Sequence, residues 1–213
     1  MEVSVDERSR LMRSWLDQQL TGATYSLTAL AGDASFRRYY RLTGLDQPMI
    51  VMDAPASVQS SYPFCVIAKG LSQAGVPTPE IYFSDLNHGF LCLEDFGDTL
   101  LFSQLSSATA DQWYERALTH LLSLQHVTAI ADYTLPRATE ETWLSELSWF
   151  EQWYLAEYCD VKLTTTARAA LHRAFELIVT IAQDQPQTLI HKDYHSRNLL
   201  VLPDNTLGVI DFQ

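Results

Sequence analysis

The feature that most restricts this chain is a polar loop set beside apolar strands near residue 200. It reads His191-Lys192-Asp193-Tyr194-His195-Ser196-Arg197-Asn198-Leu199-Leu200-Val201, and a short hairpin then delivers Val209-Ile210-Asp211-Phe212-Gln213. The pattern is His-x-Asp, four residues, Asn, a hairpin, and Asp on an apolar run. His191, Asp193 and His195 also have the alternating spacing of metal ligands on a strand. That reading accounts for neither Asn198 nor Asp211, and no second His cluster follows. A loop of capped turns with no chemistry is the plainest alternative.

The whole combination resembles the catalytic loop and metal-binding strand of the protein-kinase-like fold, in the version used by the aminoglycoside phosphotransferase family. The resemblance implies an α+β, bilobal fold. Residues 1–94 would form a small N-lobe, an antiparallel nucleotide-binding sheet with flanking helices. Residues 95–213 would form a mostly helical C-lobe carrying the catalytic loop and metal strand, incomplete in this chain. Phosphoryl transfer needs a carboxylate to orient the attacking hydroxyl and oxygen ligands for Mg2+ on the nucleotide phosphates. Mg2+ keeps phosphate oxygens and water in its shell, so few protein ligands suffice. By this resemblance Asp193 is the base, Asn198 and Asp211 are the metal ligands, and ATP and Mg2+ are the cofactors. His195 touches the transferred phosphate or braces the loop, and His191 supports it.

Three strand-like runs lie upstream: Tyr25 to Ala31, Phe36 to Leu42 and Met49 to Asp53. The turn Gly32-Asp33-Ala34-Ser35 joins the first two into a hairpin, whose tip lies over the nucleotide phosphates in the resembled fold. Ser35, Phe36, Arg37 and Arg38 are the nucleotide-binding candidates there, because forked guanidinium donors suit phosphate. Taken alone, the turn reads more readily as a plain hairpin with a solvated Arg pair; its position upstream of the catalytic loop favours nucleotide binding. The run Gly32 to Leu42, with Ile50-Val51-Met52-Asp53-Ala54-Pro55, is similar to the anomeric sugar kinases that act on N-acetylmuramate and N-acetylglucosamine in bacterial cell-wall recycling. One departure stands out. The third strand carries no Lys, and the following helix, about Tyr62 to Ala74, carries no Asp or Glu, so both halves of the usual ion pair are missing together. Losing one half alone would strand a charge. Arg37 or Arg38 is the expected substitute, with Lys69 as a weaker one.

Ile81-Tyr82-Phe83 and Phe90-Leu91-Cys92-Leu93-Glu94 read as further strands. In the resembled family the second runs into the segment whose backbone reads adenine, which places Leu93, Glu94 and Asp95 at the nucleotide. A strand-to-helix turn capped by Asp98 uses the same residues. Helices are expected over an N-terminal stretch starting at a Ser4 cap with Leu11, Met12, Trp15, Leu16 and Leu20 on one face, and over Thr109 to Val127, Thr139 to Cys159 and Thr165 to Gln183. Trp143, Trp149, Phe150, Trp153, Tyr154 and Tyr158 crowd the third of these. Aromatic faces stack on sugars, but helical spacing of this kind is expected to face a core. Glu140, Glu141, Glu146 and Glu151 are expected on a solvated face, and His120, His126 and His172 in structural roles.

Composition narrows the partners. The formal net charge of −12 over 213 residues repels nucleic acid and anionic membranes. The 47% hydrophobic content is enough for a packed core. Cys65, Cys92 and Cys159 form no Cys-x-x-Cys pair and are expected as buried thiols in a reducing compartment. No apolar run is long enough to span a bilayer and no signal-peptide pattern opens the chain, so a cytoplasmic protein is expected. The expected partner is a small-molecule acceptor, an amino sugar; no protein partner is evident. The sequence stops two positions after Asp211, where members of the resembled family continue into helices that close the acceptor pocket. An isolated piece of this kind is expected to self-associate. An aminoglycoside, choline or homoserine kinase, or a non-catalytic nucleotide-binding module, would share the same motif.

Overall fold

A computed structural model describes residues 5–30, 36–130 and 133–212. They fall into two compact units, Met1–Tyr133 with Leu189–Gln213, and Thr134–Thr188. The expected lobe boundary after Glu94 lies within the first unit.

The first unit opens with helix α1 (Val5–Gln19), whose expected Ser4 cap lies outside the described residues. Five antiparallel strands follow: β1 (Ser26–Ala29), β2 (Arg38–Thr43), β3 (Met49–Asp53), β4 (Ile81–Asp85) and β5 (Phe90–Glu94), in the order β1-β2-β3-β5-β4. Met12, Trp15 and Leu16 recur at helical spacing and are buried. They form one cluster with Leu42, Val51, Phe90 and Cys92 of the sheet. Trp15 sets its ring against Phe83 and Phe90, with centroids 5.6 and 5.7 Å away. Leu11, expected on the same face, is exposed.

Because strand side chains alternate between faces, this core sorts the sheet. In β2, Arg38, Tyr40 and Leu42 lie on the α1 side, opposite Asp53, Val51 and Met49 of β3. Tyr39 and Arg41 lie on the other side.

Helix α2 (Tyr62–Gln73) starts with Pro63 in its first turn and buries Phe64, Ile67, Ala68 and Leu71. Short α3 (Leu101–Gln104) and α4 (Ala110–Gln125) follow β5, and the unit closes with the hairpin β6 (Leu199–Val201) and β7 (Leu207–Val209). Asp98 does not cap α3, whose cap position is Leu100.

The second unit holds α5 (Glu140–Trp149), a π-helical continuation (Phe150–Tyr158) and α6 (Thr165–Gln183). Thr139 and Thr164 cap α5 and α6 through their hydroxyls, accepting from Thr142 and Ala167 N–H groups at 3.2 Å each. The aromatic helix corrects the sequence reading. Neither α5 nor the π-helix buries a residue, and Trp149, Phe150, Trp153, Tyr154 and Tyr158 are exposed. The wider winding turns i and i+4 rings onto one another: Phe150 stacks on Tyr154 at 5.3 Å and Tyr154 on Tyr158 at 5.8 Å. Aromatic spacing is met along the helix itself instead of in a core. Glu151 is not simply solvated: it accepts from Arg168 at 2.5 Å and pairs with His172 at 3.0 Å.

The cysteines also depart from expectation, since Cys92 is buried but Cys65 is half-buried and Cys159 exposed. Burial pushes the Cys92 thiol up to about 12 and Cys65 to about 11, so neither is a nucleophile near neutral pH.

Candidate active site

The site is built on the β6–β7 hairpin. Leu199 pairs with Val209, Leu200 with Gly208 and Val201 with Leu207. The next rung outward is Asn198 with Ile210, whose N–H donates to the Asn198 carbonyl at 3.1 Å. Gly208 is required at the middle rung: a Cβ there would lie 2.4 Å from the Phe96 ring. The hairpin therefore sets the spacing between Asn198 and the residue before Asp211.

Three further bonds extend this brace to the base. The Asn198 amide donates from Nδ2 to the Asp193 carbonyl at 3.0 Å. The Asn198 N–H donates to the His195 carbonyl at 2.9 Å. His191 Nε2 meets the Ile210 carbonyl at 2.8 Å, so Nε2 carries the proton. Both polar groups of Ile210 are thus held, one by each end of the loop. His191 is buried, and burial pushes its imidazole below the usual range. A neutral ring that holds Ile210 is the consequence.

The loop is pinned from outside as well. The Tyr194 hydroxyl donates to the Ala117 carbonyl at 2.6 Å. Phe102 N–H donates to the Ser196 carbonyl at 2.9 Å, and the Arg197 guanidinium lies 4.2 Å over the Phe102 ring. His195 Nδ1 accepts from Arg197 N–H at 3.3 Å, a contact that fits the bracing role expected for it.

Asp193 and Asp211 remain exposed. Asp211 has φ of 58° and Lys192 of 70°, conformations that non-glycine residues adopt at a cost and that gather at functional sites. The turn at Asp211 has a visible purpose. It sends the carboxylate outward while Phe212 goes inward, buried and stacked on Phe64 of α2 at 5.1 Å.

The donor set fits a magnesium nucleotide. With Nδ2 spent on Asp193, Asn198 has its amide oxygen left for a cation, and Asp211 offers a carboxylate. These are hard oxygen ligands, few in number, as Mg2+ on phosphates requires. The His191-Asp193-His195 metal reading fails on geometry, since His191 points at Ile210. No cluster of three or more His, Cys, Asp or Glu able to hold a metal occurs among the described residues.

The sheet candidates separate by face. Ser35 and the hairpin tip lie outside the described residues. Phe36 is exposed, with the Arg37 guanidinium 5.2 Å over its ring. Tyr39 lies within electrostatic reach of both Arg37 and Asp211. Burial raises its phenol, while Arg37 lowers it and Asp211 raises it. Arg37 therefore stands on the side of the metal-strand carboxylate. Arg38 is turned the other way, toward α1, and donates to Asp53 at 2.5 Å. Arg38 is thus committed to Asp53, and the expectation of phosphate contact rests on Arg37, just before β2. Lys69 is exposed on α2.

Of the three β5-end candidates, Leu93 is buried. Glu94 N–H donates to the Glu80 carbonyl at 2.8 Å. Asp95 is engaged by Arg41, at 2.6 Å from Nε and 3.1 Å from Nη2. Arg41 also donates to Asp98 at 2.6 and 2.8 Å. Sequence reasoning missed Arg8, Tyr39, Arg41, Asp53 and Tyr194. The signal for Asp53 was present, a charged residue at a core-facing register of an otherwise apolar strand.

The chain matches the model of the phosphotransferase enzyme family over residues 26–213 and belongs to that family. It is similar to N-acetylmuramate/N-acetylglucosamine kinases. It is 36% identical to that of Pseudomonas aeruginosa, over 99% of this chain and 64% of the relative. To that of Pseudomonas putida it is 34% identical, over 98% of this chain and 63% of the relative. The chain thus spans less than two thirds of the length of these curated relatives. Among solved structures, it superposes on the ADP-bound aminoglycoside phosphotransferase APH(2'')-Ib with a TM-score of 0.66 and 17% identity, covering 95% of this chain and 69% of that one. This likeness shows the kinase-like α+β fold.

Proposed function

We propose that this chain carries the nucleotide and catalytic parts of an ATP-dependent kinase that phosphorylates the anomeric hydroxyl of N-acetylmuramate or N-acetylglucosamine, in cell-wall recycling in the cytoplasm; relatives named N-acetylmuramate/N-acetylglucosamine kinase support the choice of sugar. The observation that carries this reading is the double hold on Ile210 and Asn198, which ties Asp193, Asn198 and Asp211 into one rigid unit. Rigid placement is most of what phosphoryl transfer asks of a protein.

In this mechanism the exposed Asp193 carboxylate accepts the acceptor's hydroxyl proton and aims its oxygen. Asn198, through its amide oxygen, and the Asp211 carboxylate would hold Mg2+ beside the nucleotide. When bound, Mg2+ neutralises charge on the transferring group. Arg37, steadied by Tyr39, supplies positive charge from the sheet. Ser35 and Phe36 at the hairpin tip, and the backbone of Leu93, Glu94 and Asp95, contact the nucleotide. His191 and His195 keep the loop in shape.

The test is product identification. Incubation of the full-length protein with MgATP and N-acetylmuramate should yield a sugar 1-phosphate, seen as a new phosphorus resonance coupled to the anomeric proton. Phosphorylation of an aminoglycoside, choline or homoserine instead would keep the kinase and change the acceptor. Nucleotide binding without turnover on any of them would make this a binding module.

A further inference from the structure

We infer that Asp53 and Arg8 form a clamp with Arg38 that positions the nucleotide hairpin, making helix α1 part of the nucleotide site. The inference rests on the kinase reading above. Asp53 is the last residue of β3 and is 1% exposed, with Arg8 Nε donating to one oxygen at 3.0 Å and Arg38 to the other at 2.5 Å. Arg8 Nη2 also binds Asp53 and donates to the His88 carbonyl at 2.9 Å. Its guanidinium lies 4.9 Å over the Phe90 ring. One side chain of α1 therefore gathers the end of β3, the start of β5 and the β4–β5 turn.

The clamp acts at a defined place. Arg38 opens β2 and pairs in register with Asp53, which pairs in turn with Phe90. All three stand at the hairpin-tip end of the sheet, the end away from Asp95. Ala54 N–H donates to the Gly89 carbonyl at 2.8 Å, which fixes the strand just past Asp53. A buried carboxylate shared by two forked cations allows little freedom to any of them. Arg37 directly precedes Arg38, so fixing Arg38 on the α1 side anchors the backbone from which Arg37 extends. Helix α1 precedes the segment matched by the family model, which begins at residue 26. The clamp thus joins an element outside that match to the first strand after the tip.

Asp53 and Arg8 touch no reacting atom and are positioning residues. The experiment is steady-state kinetics of Arg8→Ala and Asp53→Asn in the full-length protein, with melting temperatures and calorimetric affinity for AMP-PNP with Mg2+. Both variants should raise KM for MgATP about tenfold while kcat and the sugar KM stay within about twofold, as expected when only the nucleotide-facing geometry loosens. The double variant should be no worse than Asp53→Asn alone, since the carboxylate is the shared node. If Asp53→Asn fails to fold, Arg8→Ala alone decides. A lowered melting temperature with unchanged KM for MgATP and unchanged AMP-PNP affinity would reduce the clamp to packing and overturn the inference. A wild-type protein that binds AMP-PNP without turnover sinks the kinase reading, and the clamp is then decided by the AMP-PNP affinity of Arg8→Ala. A wild-type protein that binds no nucleotide sinks both.

Discussion

Two arginine–aspartate networks grip the same sheet and are built in opposite ways. On the α1 side, one carboxylate, Asp53, is shared by Arg8 and Arg38. On the other side, one guanidinium, Arg41, is shared by Asp95 and Asp98. The first is closed in, with side-chain exposures of 1% for Asp53 and 11% for Arg8. The second opens to water, with Asp98 77% exposed. The first carries a surplus of positive charge at the hairpin-tip end, where phosphate is expected. The second carries a surplus of negative charge beside the end of β5. The sheet is held by a different charge balance at each of these two places. Burial decides which network matters to stability, since solvent screens a surface pair and leaves a buried one strong.

That contrast can be broken in order of size. Asp53→Ala strands two arginines and should cost roughly 3–5 kcal/mol by urea unfolding. A cost near that of a surface pair would erase the distinction. Arg41→Met leaves the buried Asp95 with only the Gly97 N–H at 2.8 Å and should cost about 1–3 kcal/mol. Asp98→Asn should cost about 0–1 kcal/mol, and a larger loss would mean that the exposed arm matters as much as the buried one.

Acid titration sharpens the comparison further by separating the exposed network from the loop. The depressed imidazole of His191 is a stabilising neutral group. Its contribution is complete above the unfolded value of roughly 6.5 and falls as pH drops through the lower folded value. His191→Gln should remove most of that first step; His120, also lowered by burial, accounts for the remainder. The Asp98 carboxyl is held below its usual range, by the Arg41 hydrogen bond above all. Its contribution is present above about pH 4 and lost only as pH falls through the folded value. A melting-temperature profile with a single step near pH 4 would contradict this division.

Much of this was legible in the residues, for physical reasons. The hairpin from Asn198 to Asp211 is local, and its two short apolar strands pair across a turn only a few residues long. Strand β5 and helix α6 matched their expected bounds, Phe90–Glu94 and Thr165–Gln183. What was not legible depends on pairing at a distance. Arg8 and Asp53 are separated by 45 positions, and Arg41 and Asp98 by 57, so no local rule joins them. Arg37 and Arg38 looked equivalent until β2, which begins at Arg38, set that residue on the α1 side against Asp53. The aromatic helix misled because a 3.6-residue period was assumed, whereas the π winding stacks Phe150, Tyr154 and Tyr158 on one another in solvent.

The account turns on Asp193 as the group that takes the acceptor's proton. The most direct measurement compares ADP release on addition of N-acetylmuramate by wild type and Asp193→Asn, with AMP-PNP affinity measured on both. Asp193→Asn should release ADP about 10²–10⁴ times more slowly at unchanged AMP-PNP affinity. Turnover within a few-fold of wild type would contradict the account.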